Sequence, residues 1–265
     1  MTDKDTAVLA EVDDEGTGWL SLNRPASHNA FDDALIAEMT AKLRTFAAEE
    51  RVRAVVVRGC GRSFSAGADL NWMRRMGEAT QAENVADALR LAELLETLDR
   101  LPKPTLALVN GAAYGGGVGL VAACDIAIAA RSAVFAMTEV RLGLIPAVIS
   151  PHVLAAIGSR QARRYFISAE SFDAEEALRI GLIHDVVEPD GLEAAGRRML
   201  ATLAANGVQA MAEVKILTRE VAGRPIDASL MRDTAERIAR ARASEDGRAR
   251  IAAFIESRSK RAKRP

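Results

Sequence analysis

Through the first half of the chain, short apolar or β-branched runs alternate with longer stretches of helical spacing. Runs at 7–12, 19–22, 54–57, 105–109 and 126–129 predict strands. Residues 31–48 place Leu35, Ile36, Met39, Leu43 and Phe46 on one helical face, with Asp32 or Asp33 positioned to cap its start. Residues 82–101 repeat that pattern through Val85, Leu89, Leu91, Leu94, Leu95 and Leu98, and Pro102 and Pro104 stop it. Strand, helix and strand in this order predict right-handed crossovers between parallel strands. Beyond about residue 150 strand signals nearly vanish. Helical segments rich in Ala, Arg and Glu take over at 174–180, 192–205, 210–221 and 228–243, the last with Asp227 as its cap, before a basic tail.

A chain of 265 residues holds one sizeable core with an appendage, since a domain averages about 150 residues. With 49% hydrophobic and 27% charged residues it has the composition of a folded protein. The net charge of -1 supplies no overall field for nucleic acid or anionic lipid. Two cysteines, Cys60 and Cys124, form neither a disulfide framework nor a zinc spacing, so a cytoplasmic protein is expected, without metal. The first ten residues show no basic segment followed by an apolar stretch, so no secretory signal is expected. Residues 104–124 carry no charge before Asp125, but Pro104, Asn110 and five glycines interrupt them, which predicts a buried strand and turn entering a helix rather than a membrane span.

Two glycine-bearing segments, Phe64-Ser-Ala-Gly-Ala-Asp-Leu70 and Asn110-Gly-Ala-Ala-Tyr-Gly-Gly-Gly-Val-Gly-Leu120, each follow a strand-like run. A turn that feeds a helix leaves amide N–H groups without internal partners, and such amides grip oxyanions. Glycine also serves as plain loop punctuation, and each segment alone admits both readings. The second is not a phosphate loop, because it lacks the Gly-Lys-Ser/Thr ending.

Together with Leu22-Asn-Arg-Pro25, Asn29-Ala-Phe31 and the stretch from Phe135 to Pro146, these segments make the chain resemble the crotonase, or enoyl-CoA hydratase/isomerase, superfamily from about Val8 to Phe254. The resemblance implies an α/β fold, a ββα spiral core over residues 1–200, and a C-terminal helical region, 201–265, that builds a homotrimer or a stacked hexamer. It implies that the amides of Ala68 and Gly116 form an oxyanion hole for an acyl-CoA thioester. Backbone around Ser27, Ala66, Asp69 and Leu70 would line the coenzyme A path, and Phe254 would cover the adenine. The lysine usual three residues after that aromatic is Ser257 here, with Arg258 or Lys260 available for its phosphate contact. Coenzyme A belongs to the substrate, so no separate cofactor is implied.

Hydratases of this kind carry two glutamates. The first position is Gly119, whereas the second is retained as Glu139, set between Phe135 and Val140. A partly desolvated carboxylate there would hold its proton more tightly and pass it near neutral pH. One carboxylate suffices either to hydrate a 2-enoyl thioester or to carry a proton between C2 and C4 in an isomerase. The segments from Gly115 to Asp125 and from Glu139 to Pro151, and Arg163-Arg-Tyr-Phe166, resemble methylglutaconyl-CoA hydratases, which favours hydration. A glutaconyl chain has a second carboxylate and calls for a cation, for which Arg141 and His152 are candidates. Asp69 is better placed to cap a helix than to exchange protons, and Trp72, Met73 and Met76 form an apolar wall. A non-catalytic acyl-CoA-binding or RNA-binding role is the alternative from another class, the latter through Arg258, Lys260, Arg261, Lys263 and Arg264. Near-neutral charge and 4% aromatic residues weigh against RNA.

Overall fold

The computed structural model describes residues 6–262, with side chains as far as Ser259. In chain order, β1 (Val8–Val12), β2 (Thr17–Leu22), α1 (Asp33–Ala48) and β3 (Ala54–Gly59) are followed by β4 (Ser63–Ser65), α2 (Leu70–Glu78) and α3 (Gln81–Asp99). Next come β5 (Thr105–Val109), β6 (Ala112–Tyr114), α4 (Gly116–Ala123), β7 (Ile126–Ala130), β8 (Val134–Ala136) and α5 (Ser150–Ser168). The remainder comprises β9 (Phe172–Asp173), α6 (Ala174–Ile180), β10 (Asp185–Val187), α7 (Leu192–Ala204), α8 (Val208–Val221), α9 (Ala228–Ala243) and α10 (Glu245–Ala262). The chain divides into two compact units, Met1–Leu203 and Ala204–Pro265.

In the first unit six strands form one sheet in the order β1-β2-β3-β5-β7-β10, antiparallel only between β1 and β2. Leu20 lies opposite Val57, Val57 opposite Ala107, and Ala107 opposite Ala127, so one row of small and branched side chains crosses the sheet. Because successive residues point to opposite faces, this row joins the main core while Trp19, Val56, Leu106 and Ile128 form a second core on the other face. Leu192 and Ala195 of α7 cover that second face. Close approach requires Gly196, where a Cβ would fall 2.8 Å from Leu108 Cδ1.

The helix signals have physical counterparts. Asp32 caps α1 by accepting from the Leu35 N–H at 2.8 Å, and Thr80 and Glu83 form a reciprocal capping box on α3. Leu94, Leu95 and Leu98 of α3 are buried, but Val85 and Leu89, expected on the same stripe, are 53% and 62% exposed. The N-terminal half of α3 borders a cavity rather than the core.

A second sheet, β4-β6-β8-β9, is parallel from β4 through β8. Strands of two or three residues carry no readable alternation, so this sheet was not foreseen. After residue 150 the only strands among the described residues are β9, which pairs with β8, and β10, which pairs with β7, two and three residues long, in keeping with the near absence of strand signals there.

The second unit is helical. Asp227 caps α9 by accepting from the Leu230 N–H, as expected, while α8 begins two residues earlier than the spacing predicted. Arg250 of α10 donates to the carbonyls of Ala205 and Asn206, and Ile238, Ile251, Phe254 and Ile255 remain exposed. The side chains of Lys260, Arg261, Lys263 and Arg264, named for phosphate or RNA contact, lie outside the described residues. No helix among the described residues is long and apolar enough to cross a membrane.

Candidate active site

Three neighbouring parallel strands end on the same side of the second sheet. Ser65 of β4 pairs with Ala113 of β6, and Tyr114 of β6 pairs with Ala136 of β8. The residues that follow each strand therefore emerge together: Ala68 after β4, Gly116 after β6 and Glu139 after β8. All three line one cavity of about 440 Å³.

Backbone pairing decides which N–H groups stay free. Phe31 and Ala68 form an isolated parallel bridge, in which the Phe31 N–H donates to the Gly67 carbonyl at 2.7 Å and the Asp69 N–H to the Phe31 carbonyl at 2.8 Å. This pattern uses both groups of Phe31 and directs the N–H of Ala68 away from it. Gly67 makes the turn with φ +87°, a conformation that favours glycine. In the other segment the Gly115 N–H donates to the Ala136 carbonyl, and Gly116 opens α4, where a first-turn N–H lacks a helical acceptor. No hydrogen bond among the described residues uses the N–H of Ala68 or of Gly116. The fit is close: a Cβ on Gly116 would lie 2.5 Å from the Phe31 ring, and one on Gly115 would lie 3.1 Å from Glu139 Oε1.

Glu139 begins a 3₁₀ turn, Glu139–Leu142, directly behind β8. Its Oε2 is buried with no hydrogen-bond partner among the described residues. Burial pushes its carboxyl above the usual range, opposed by a hydrogen bond from its own backbone N–H. Such a carboxyl takes up and releases a proton closer to neutrality than an exposed one does. Trp72, Met73 and Met76 of α2 line the cavity, as do Leu144, Ile145 and Ile149 of the segment leading into α5.

Ala66 joins the lining, and its N–H donates to the His28 carbonyl at 2.9 Å. Ser27 lies outside it, donating its hydroxyl to the Arg24 carbonyl. Asp69 accepts from the N–H groups of Asn71 and Trp72 at 2.9 and 3.1 Å, which makes it the cap of α2, and Leu70 is 73% exposed. Phe254 is an exposed residue of the second unit, with the Arg258 guanidinium 5.4 Å from its ring centre. Neither cation candidate lines the cavity. Arg141 donates to the Ala169 carbonyl at 2.6 Å, and His152 is half-buried, where desolvation lowers its pKa against the pull of Asp99 and Glu96.

At Gly119 a Cβ would fall 2.6 Å from Ile149 Cγ2 and 3.4 Å from Leu95 Cδ1. The space in which a second carboxylate side chain would begin is therefore filled by Ile149. Two polar lining residues, Asn84 and Asp87 of α3, were not among the expected site residues. The available signal was an acidic residue four positions before Leu91 and seven before Leu94, on an otherwise apolar stripe.

A model of the enoyl-CoA hydratase/isomerase family matches residues 13–262. The enoyl-CoA hydratase ACTT6 of Alternaria alternata is 34% identical over 206 residues, 77% of this chain and 67% of that protein. The 2,3-dehydroadipyl-CoA hydratase of Escherichia coli is 35% identical over 159 residues, 60% of each chain. Among solved structures, an enoyl-CoA hydratase from Shewanella pealeana superposes with a TM-score of 0.92 at 43% identity, covering 97% of this chain and 98% of its own. Fold, motifs and nearly full-length likeness agree, and the chain belongs to the enoyl-CoA hydratase/isomerase family, with the crotonase fold.

Proposed function

We propose that the protein adds water across the C2=C3 bond of a 2-enoyl-CoA thioester. The observation that carries this reading is the convergence, on one cavity, of two unspent backbone N–H groups and a desolvated carboxylate with an unpartnered oxygen. The N–H groups of Ala68 and Gly116 hold the thioester oxygen. As water oxygen bonds to C3, Glu139 takes the water proton and the C2=C3 electron pair moves to give an enolate, whose negative charge rests on that oxygen. Glu139, now protonated, returns the proton to C2, so that one water is added and the carboxylate is restored. Fixed amides need no reorganisation to meet the developing charge, and a single donor of this kind is worth about 2.7–4 kcal/mol in transition-state stabilisation. The raised carboxyl pKa suits a group that must both accept and return a proton.

Ile149, by filling the space beside Gly119, leaves the chemistry to one carboxylate and thereby supports a second reading, 3,2-enoyl-CoA isomerisation, in which Glu139 carries a proton between C2 and C4. A methylglutaconyl substrate has weaker support, since Arg141 and His152 both lie off the cavity. The exposed apolar residues of the second unit support the homo-oligomer that the family resemblance implies.

Crotonyl-CoA and a 3-enoyl-CoA, incubated separately with the protein and followed by mass spectrometry, distinguish the two activities. Hydration predicts the gain of one water by crotonyl-CoA. A shifted double bond in the 3-enoyl product, with unchanged mass and no water added to crotonyl-CoA, establishes the isomerase instead. Inertness toward both thioesters would remove the enzymatic reading.

A further inference from the structure

Phe31 touches both glycine-bearing segments at once. Its backbone accepts from Asp69 and donates to Gly67, so the bonds on either side of Ala68 set the direction of the Ala68 N–H. Its ring, 1% exposed, lies against the first turn of α4, where a Cβ on Gly116 would fall 2.5 Å from Cε2 and 2.6 Å from Cδ2. The ring therefore bars the start of α4 from shifting toward Phe31.

Phe31 is itself held from both sides. The preceding His28 and Asn29 adopt left-handed backbone, φ 53° and 57°, which is unfavourable for residues that carry a Cβ and persists only where the surroundings over-determine it. Asn29, fully buried, supplies that constraint: Oδ1 accepts from the Arg24 N–H at 2.8 Å, and Nδ2 donates to the carbonyls of Cys60 and Ser63 at 2.9 and 2.8 Å. The Asn29 carbonyl in turn accepts from the Ser65 hydroxyl of β4 at 2.9 Å. On the other side Asp32 caps α1 and pairs with Arg24 at 2.5 Å.

We propose that Phe31 is a positioning residue that sets the gap between the Ala68 and Gly116 N–H groups, its backbone fixing the first and its ring the second. The inference rests on the oxyanion-hole reading of those groups and deepens it. Two donors stabilise one developing oxyanion only when both already point to where it forms. The β4–β6 ladder brings the two segments side by side, and Phe31 fixes the gap between them beyond its end.

The test follows the full chain with crotonyl-CoA for turnover and with butyryl-CoA, isotopically labelled at the thioester carbonyl, for binding. The infrared stretch of that carbonyl falls in frequency as hydrogen bonds to its oxygen strengthen, so it reads both N–H groups without turnover. Phe31→Ala deletes the ring and keeps the backbone bridge; Phe31→Leu serves if the Ala variant does not fold. The bound carbonyl should lose part of its wild-type shift, and kcat should fall about 10–10²-fold, the scale of a misplacement of about 1 Å, with a smaller change in calorimetric Kd. Gly116→Ala, which keeps the N–H but drives a methyl into the ring, should also lower kcat, and adding Phe31→Ala should recover part of that loss.

A lower urea midpoint with the carbonyl stretch and the kcat of folded protein unmoved would make Phe31 merely structural and overturn the proposal, as would losses in the double variant that simply multiply. If wild-type protein binds butyryl-CoA with no carbonyl shift, the oxyanion-hole reading fails and takes the inference with it. A wild-type shift that Phe31→Ala leaves intact rejects the inference alone. A shift that depends on Phe31, in a protein that hydrates nothing, upholds the inference and rejects the hydratase reading.

Discussion

Where Ala68, Gly116 and Glu139 face the cavity, two N–H groups and one carboxylate oxygen have no protein partner among the described residues. On the wall built by α2 and α3 the polar groups are engaged: Asn84 donates to the carbonyls of Met76, Ala79 and Thr80, and Asp87 accepts from Trp72. Glu139 Oε2 is buried as well as unpartnered, and a buried polar group left without a partner costs about 1–3 kcal/mol. A fold keeps that cost at one place only where rigid neighbours prevent the groups from turning to each other. The strand ends supply that rigidity on the first side, while the second side is stable on its own terms and sets shape and charge. The contrast separates a region whose polar groups stay open to the cavity from one whose polar groups are spent within the protein.

The comparison breaks most sharply at Glu139. Glu139→Gln removes the proton carrier while preserving shape, and kcat for hydration should fall by about 10²–10⁴, the range for positioned acid–base groups. A variant retaining full turnover with an unchanged circular dichroism spectrum would move the chemistry elsewhere. Next in size is the wall behind Gly119. Gly119→Ala drives a methyl into Ile149 and should cost about 1–3 kcal/mol in denaturant unfolding. In an Ile149→Ala background that penalty should shrink, and an undiminished penalty would mean that Ile149 is not what fills the space.

Asp69 should behave as a structural residue despite standing next to Ala68. Asp69→Ala removes the cap of α2 and should lower stability by about 1 kcal/mol, measurable as a shift in the urea midpoint. A loss of rate as large as that of Glu139→Gln, without loss of stability, would assign it to the chemistry. The smallest effect is a dependence on pH. The folded state raises the carboxyl pKa of Glu139, so between its ordinary value and the raised one the folded protein holds more of this proton than the unfolded chain does. Stability from this group therefore falls as pH rises through that window. Relative to wild type, Glu139→Gln should gain stability as pH increases through it, and a difference constant with pH would contradict a desolvated carboxylate.

Much of the first sheet was legible because Val55, Val57, Leu106 and Leu108 belong to runs long enough to show strand character, and α1 announced itself through Asp32 and an apolar face. The Ala68 and Gly116 segments stood out through their glycines, but nothing local revealed that β4 and β6 are neighbours. That fact lives in the pairing of strands only three residues long. The partial desolvation of Glu139 was expected from its apolar flanks, whereas the crowding at Gly119 depends on Ile149, thirty residues away. Asp87 went unnoticed because an acid on a helix is ordinarily solvated, and its burial depends on Trp72 of a different helix.

The pairing of β4, β6 and β8 has a mechanical consequence. Since those ladders set the position of what comes after each strand, lengthening or rewriting the intervening connections leaves the meeting point undisturbed. Substitutions in α2 and α3 would then reshape the wall of the cavity without moving the strand ends that carry Ala68, Gly116 and Glu139.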